Sequence, residues 1–228
     1  MDRGLYIAAS GMLAEQRRQE QIANDLANAA TPGYKADRSA QQAFGDLLLG
    51  RDLDGQPVGR QSLRVGIAEI RTDFAPKALR ETGEPLDLAI EGPGFFAVQT
   101  PAGVRYTRNG QFSADAQGRL ITALGQPVLG TGGGPVTVTD GRVDPNAVRV
   151  VQLASARKEG DDLVAGAPAG GTGGRVRAGA LESSGADATR AMVDMIASMR
   201  AFEAGQKVIQ TIDSTLEKAA NRVGSLGA

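Results

Sequence analysis

Apolar and polar positions recur along this chain with distinct rhythms. Near the N-terminus the rhythm is helical. Leu5, Ala9, Met12, Gln16, Gln19, Ala23 and Leu26 are spaced alternately by four and three, the repeat of a heptad seam. Because the seam includes two Gln and two Ala, it fixes register more than it supplies burial energy, and each buried Gln must find hydrogen-bond partners. The pattern predicts a helix over residues 4–30. Pro32 pushes Thr31 out of the helical region. Pro-Gly then suits the central positions of a type II turn, so the helix is expected to end near Ala30.

Residues 35–80 hold no sustained period. "GRDLDGQPVGR" is charged and turn-rich, and this stretch reads as an extended connector with one short strand at "RVGIAEI". From residue 84 the period becomes two: Leu86, Leu88 and Ile90 share one face of "PLDLAI". "FFAVQT", "VRYTRNG", "QFSADAQGRLIT", "PVTVTDGRV" and "AVRVVQLAS" follow, separated by turn signals. Such spacing predicts an antiparallel β domain. "DDLVAGAPAGGTGG" has little to bury and reads as an excursion.

Residues 187–223 return to a helical period. Met192, Met195, Met199, Phe202, Gln206 and Ile209 alternate by three and four. Ile212, Leu216, Ala219 and Val223 continue after a frame shift, a stutter. The expected fold class is therefore α+β: long N- and C-terminal helices, paired and coiled-coil-like, with a central antiparallel β domain. The expected segments are an N-terminal helix over 1–34, a connector over 35–80, a β-rich domain over 81–182 and a C-terminal helix over 183–228. The helices could pair with each other in a lone globular protein. Thin, polar-interrupted seams fit better in a larger bundle supplied by neighbours.

Composition narrows the function. The 228 residues carry a net charge of −1, which gives no electrostatic reason to expect nucleic acid or an anionic membrane surface. Aromatics are 4% with no Trp, so base-stacking platforms are not expected. The chain has no Cys and no His. Disulfides, Cys- or His-based metal sites and every catalytic triad needing imidazole or thiolate are thereby excluded. Asp2, Arg3, Glu15, Arg17 and Arg18 interrupt the apolar run that a cleaved secretion signal needs. No apolar segment is long enough to span a bilayer.

The candidate chemical motifs fail on context. "GPGFFA" (92–97) has dinucleotide-like glycine spacing but leads into a β-like segment instead of a helix. "GTGGGP" (130–135) lacks the Lys-Ser/Thr of a phosphate loop. "DLDG" (52–55) lacks further calcium ligands. Glu81, Glu84, Asp87 and Glu91 cluster in sequence but read as a solvated strand face. No catalytic residue, metal or cofactor is expected. What remains is a stripe of amides, Gln21, Asn24 and Asn28, on the N-terminal helix. It is either a solvated face or a set of hydrogen-bond donors and acceptors for a neighbouring subunit.

Three stretches resemble one family. "ASGMLAEQRRQEQIANDLANAATPGYK" is similar to the N-terminal signature of the bacterial flagellar rod and hook axial proteins. Ala23, Asn24, Leu26, Ala27, Asn28, Thr31, Gly33 and Lys35 match, and Asp25 and Tyr34 depart. "LESSGADATRAMVDMIASMRAFEAGQKVIQTID" resembles the family's closing stretch, with departures at Gly185-Ala186 and Gly205. "PLDLAIEGPGFFAVQTPAGVRYTRNGQFSADAQGRLITALGQPVLG" looks like the β domain of its rod members, most like the proximal-rod and next the distal-rod ones.

The resemblance implies a structural subunit of the flagellar basal-body rod. Its terminal helices would form the inner tube of a helical assembly that transmits torque and encloses the export channel. The Thr31-Pro32-Gly33 turn would release the chain toward the outer β domain. Implied subunit-interface positions are Leu5, Met12, Gln16, Gln19, Asn24, Leu26, Asn28, Thr31 and Gly33, together with Met192, Met195, Met199, Phe202, Ile209, Ile212 and Leu216. Implied partners are copies of itself, other rod proteins and the flagellar type III export apparatus, with no nucleic acid and no membrane insertion. The implied location is the periplasmic rod of the basal body, reached without a cleaved signal. Two rival classes are a soluble β module binding cell-wall glycan and a carboxylate enzyme. The first would need Phe95, Phe96 and Tyr106 as an exposed platform, and the second Glu91 and another acid in a cleft roughly 5–9 Å apart.

Overall fold

A computed structural model describes residues 2–50, 57–160 and 162–225, and the side chains of all of these except 2–3, 39–50, 57–70, 172, 220 and 222–225. In chain order the elements begin with α1 (Asp2–Ala27), β1 (Asp37–Gly50), β2 (Pro57–Thr72), β3 (Leu79–Glu81), β4 (Leu88–Glu91), β5 (Phe95–Thr100) and β6 (Gly103–Thr107). They continue with β7 (Ser113–Ala114), β8 (Leu120–Ile121), β9 (Val150–Lys158), β10 (Leu163–Thr172), β11 (Arg175–Ala178), β12 (Ala180–Glu182) and α2 (Ala188–Ser225). Two compact units divide the chain. One comprises Met1–Leu26, Asp37–Arg71 and Ala188–Ala228, the other Ala27–Ala36 and Thr72–Asp187.

The helical unit contains α1, α2 and a two-stranded sheet of β1 and β2. The stretch that lacked a sequence period is thus largely strand, where one short strand was expected. Of the two seam glutamines, Gln16 is exposed and Gln19 half-buried, so neither is deeply desolvated. Gln21, of the amide stripe, donates its side-chain amide to the Asp37 carbonyl.

The coiled-coil reading of the helices requires correction. Met192 and Met199, leading members of the expected seam, are 53% and 50% exposed. The more buried face of α2 runs instead through Ala191, Met195, Ser198, Phe202, Gly205, Ile209, Ile212 and Leu216. It keeps one frame from Ala191 to Leu216, with no shift between Ile209 and Ile212, and Val223 of the expected stutter lies outside the described side chains. The sequence pattern had followed large residues where small ones do the approaching. Ile212 lies over Gly4, with its Cδ1 3.7 Å from where a glycine Cβ would stand. Met12 covers Gly205, its Cγ 2.8 Å from the corresponding point. Ser198, fully buried, donates to the Glu15 carboxylate at 2.6 Å. The helices therefore meet antiparallel at discrete small-residue approaches and a polar bond, not along a zipper of methionines. Small residues let backbones draw close, and close approach recovers dispersion energy that a thin seam cannot.

The β unit also departs from a plain antiparallel sheet. β10, β6, β5 and β9 close into a small barrel. β5 pairs with β6 from Phe96↔Thr107 to Thr100↔Gly103 and with β9 through Phe95↔Val151. β10 closes the ring against β6 through Val164↔Tyr106 and against β9 through Val164↔Lys158. Three separate two-stranded sheets, β11–β4, β12–β3 and β7–β8, surround it.

Both faces of β5 are buried, so its alternation sorts residues between two cores. Phe96 and Val98 join Leu88, Ile90, Phe112, Leu120 and Val128 on one side. Phe95 and Ala97 join Tyr106, Leu129, Val151 and Val164 on the other. Edge-to-face aromatic pairs lie in each: Phe96 on Phe112 at 5.2 Å and Phe95 on Phe74 at 5.8 Å. Each such pair contributes about 0.5–1.5 kcal/mol beyond its buried area.

Candidate functional site

The motif "TPGYK" leaves α1 and folds onto the β unit. α1 stops at Ala27, ahead of the expected Ala30, because Asn28 starts a turn: the Thr31 N–H donates to the Asn28 carbonyl at 3.1 Å. The Thr31 hydroxyl donates to the Asn28 side-chain oxygen at 3.2 Å. The Tyr34 N–H then reaches back to the Thr31 carbonyl. Gly33 takes φ +68, as the third position of a type II turn requires. A Cβ there would also stand 2.2 Å from the Arg108 carbonyl oxygen. Both its conformation and its space therefore demand glycine.

This turn delivers Lys35 into the interior. The Lys35 ammonium donates to Glu182 Oε1 at 2.7 Å and to the Ala75 carbonyl at 2.8 Å. The Lys77 N–H adds a third segment to Glu182 Oε1, at 2.8 Å. Arg108 Nε donates to the other carboxylate oxygen, Oε2. The rest of the guanidinium caps the "EGPG" turn, with Nη1 on the Gly94 carbonyl and Nη2 on those of Ile90 (3.0 Å) and Gly92 (2.6 Å). Glu182 is 2% exposed, Lys35 4% and Arg108 4%.

Such a cluster is costly to bury and tolerable only when hydrogen bonds satisfy it. Here two cations share one carboxylate. Burial holds the Lys35 ammonium below its ordinary value, against the opposing pull of its bond and attraction to Glu182. Backbone bonds reinforce the arrangement: the Gly33 N–H donates to the Glu182 carbonyl at 2.9 Å, and the Gly185 N–H to the Tyr34 carbonyl at 2.8 Å. Lys158, from β9, covers the outside, with its ammonium 3.9 Å from the Tyr34 ring centroid and 3.0 Å from the Lys35 carbonyl. The arrangement holds together distant parts of the chain.

Three family models match in chain order. "Flagella basal body rod protein" covers residues 5–35, "Flagellar hook protein FlgE/F/G D1 domain" 89–153, and "Flagellar basal body rod FlgEFG protein C-terminal" 177–222. The flagellar hook-basal body complex protein FlhO of Bacillus subtilis is 32% identical, over 99% of this chain and 100% of its own length. The flagellar basal-body rod protein FlgF of Caulobacter vibrioides is 32% identical over 100% and 99%, and that of Escherichia coli 33% over 96% and 97%. The chain belongs to the flagellar basal-body rod family.

Within this rod-family chain, the motifs that carry the family match are also those that build the clasp. The first model ends on Lys35 and the last includes Glu182, while Arg108 comes from the middle one. In the sequence Lys35 stands out only as a position matching the family signature, Glu182 only within its closing stretch, and Arg108 not at all. A lone Arg before Asn-Gly carries no signal of burial.

The expected interface residues are scattered in exposure. On α1, Leu5, Gln16 and Asn24 are exposed, Met12, Gln19 and Leu26 half-buried. Asn28 and Thr31 are half-buried in the turn just described, and Gly33 is buried against Arg108. On α2, Met192 and Met199 are exposed, while Met195, Phe202, Ile209, Ile212 and Leu216 are half-buried. The "DLDG" motif lies outside the described residues. Among the described residues no acidic or ligating group is arranged to hold a metal ion, and no helix is long and apolar enough to cross a membrane.

Proposed function

We infer that this rod subunit builds its part of the flagellar basal body by packing α1 and α2 against copies of itself and against other rod proteins. The end-to-end match to rod proteins carries this reading. The helices supply a physical reason. Tyr6 and Leu13 lie exposed on α1, and Met192, Ile196 and Met199 form an exposed stripe on α2. Apolar stripes of this kind mark surfaces that a partner covers. A repeated head-to-tail contact that does not close generates a helical filament. A tube of such subunits, in the periplasmic span of the rod, would surround the export channel and transmit torque, with the type III export apparatus delivering each copy. The interface then includes the exposed members of the residue set named from the sequence, foremost Leu5, Asn24, Met192 and Met199.

The role is mechanical, and we assign no residue a catalytic part. Phe95, Phe96 and Tyr106 are all buried, so they offer no platform for a glycan. Glu91 is exposed and bonded to Arg177 at 3.5 Å.

Replacing Met192 and Met199 together by Gln tests the reading. Rod formation and swimming should be lost, while the dilute protein keeps its melting temperature. Normal swimming by cells carrying only the double variant would sink it.

A further inference from the structure

Residues 175–185 lie near the end of the β unit, and they bind β3, β4, the turn between them and the segment that follows α1. β11 pairs with β4 from Arg175↔Glu91 to Ala178↔Leu88. β12 pairs with β3 from Ala180↔Glu81 to Glu182↔Leu79. Between them, the Gly179 carbonyl accepts from the N–H groups of Thr82 and Gly83, and the Gly179 N–H donates to the Asp87 carbonyl at 2.8 Å. Farther on, the Ser183 N–H donates to the Ala78 carbonyl, the Ser184 hydroxyl to the Asn28 carbonyl at 2.9 Å, and the Gly185 N–H to the Tyr34 carbonyl.

The barrel is different. Its four strands pair with one another, and β5 also with residues 127–129, and all of these precede this stretch. β3 and β4, by contrast, have β12 and β11 as their strand partners. The buried cations Lys35 and Arg108 also come earlier in the chain than the carboxylate that neutralises them.

We propose that residues 175–185 are a latch that docks as one unit on an already closed barrel and, through Glu182, locks residues 31–36 in place. The latch and the N-terminal segment open and close together. The Glu182 carboxylate binds Lys35, Lys77 and Arg108 at once, so its withdrawal leaves two buried cations without a counter-charge. Residues 31–36 cannot keep Lys35 inside under those conditions. The two points where the chain leaves the β unit are thereby coupled, and an event that pulls on one is felt at the other. Cooperative partial opening of this kind is a sub-global unfolding unit. The proposal rests on the clasp alone and holds whatever the helices dock against.

Native-state hydrogen exchange on the full-length chain tests it, in the wild type and in Glu182→Gln. The amides of Gly33, Ser183, Gly185 and β11 should share one opening rate, faster than that of the β5 amide Gln99 and of Leu129, whose N–H bonds the β5 carbonyl of Ala97. Glu182→Gln should raise exchange at Gly33 and Gly185 by at least about 100-fold and leave Gln99 and Leu129 unchanged. The Gly33 amide is informative because it bonds the backbone carbonyl of residue 182, which the substitution retains. Separate rates for Gly33 and the latch would overturn the proposal. So would exchange of latch and barrel together by global unfolding, or an equal effect of the variant on both. Should Glu182→Gln fail to fold, the wild-type rates decide alone.

Discussion

Lys35 and Glu182 stand 147 positions apart in the chain and form a 2.7 Å ion pair closed to water. The pair joins the segment that follows the first helix to the segment that precedes the second. Arg108, the residue that follows β6, completes it. Because burial weakens the ammonium of Lys35 instead of strengthening it, the bond specifies geometry at a cost in desolvation.

That cost has a pH signature. The folded-state value of Lys35 lies below its unfolded value, so between the two the unfolded chain binds more protons. Stability from this group therefore rises with pH through that window, which ends near the ordinary lysine value of about 10.4. Urea unfolding of wild type and Lys35→Met, compared between about pH 8 and pH 10, should show the wild type gaining on the variant as pH rises. A difference that stays flat or falls would contradict the assignment.

Gly33 and Gly83 separate strain from space. Both have positive φ, +68 and +76, but only Gly33 has the Arg108 carbonyl where a Cβ would go, and Gly83 has nothing within 4 Å. Gly83→Ala should cost about 1 kcal/mol, the left-handed penalty alone. Gly33→Ala should cost at least about 2 kcal/mol more, because backbone must move. Equal losses of stability in denaturant titration would mean that the turn shifts freely.

In the helical unit, Gly205→Leu should lower helix melting measured by circular dichroism, since Met12 occupies the space. Met12→Ala should recover part of that loss in the double variant. The expected coupling is about 0.5–3 kcal/mol, as for side chains in direct contact. Strict additivity would show that the helices do not meet there.

Asn28 and Thr31 share a side-chain bond at 3.2 Å. Asn28→Leu removes that acceptor and should destabilise the turn by about 1 kcal/mol, while Asn28→Asp keeps it. If rod formation fails in Asn28→Leu cells but not in Asn28→Asp cells, the turn bond is the relevant contact. Failure of both would show that the amide nitrogen of Asn28 also contributes to assembly.

Much was legible in the sequence because it is local. Helical period marked α1 and α2, Thr31-Pro32-Gly33 marked the break, and alternation around Leu88 and Phe96 marked the strands. Backbone preference and amphipathic burial act over a few residues, so a few residues report them. Tertiary structure decided the rest. Which frame of α2 turns inward depended on where Gly4 and Met12 stand opposite it, and small residues such as Ser198 and Gly205 leave no hydrophobic signature. Barrel closure depended on β9 and β10 returning to β5 and β6. A charged residue looks like surface in any sequence window, because isolated charge belongs in water. Lys35, Arg108 and Glu182 become interior residues only when folding brings all three together, and no local pattern encodes that meeting.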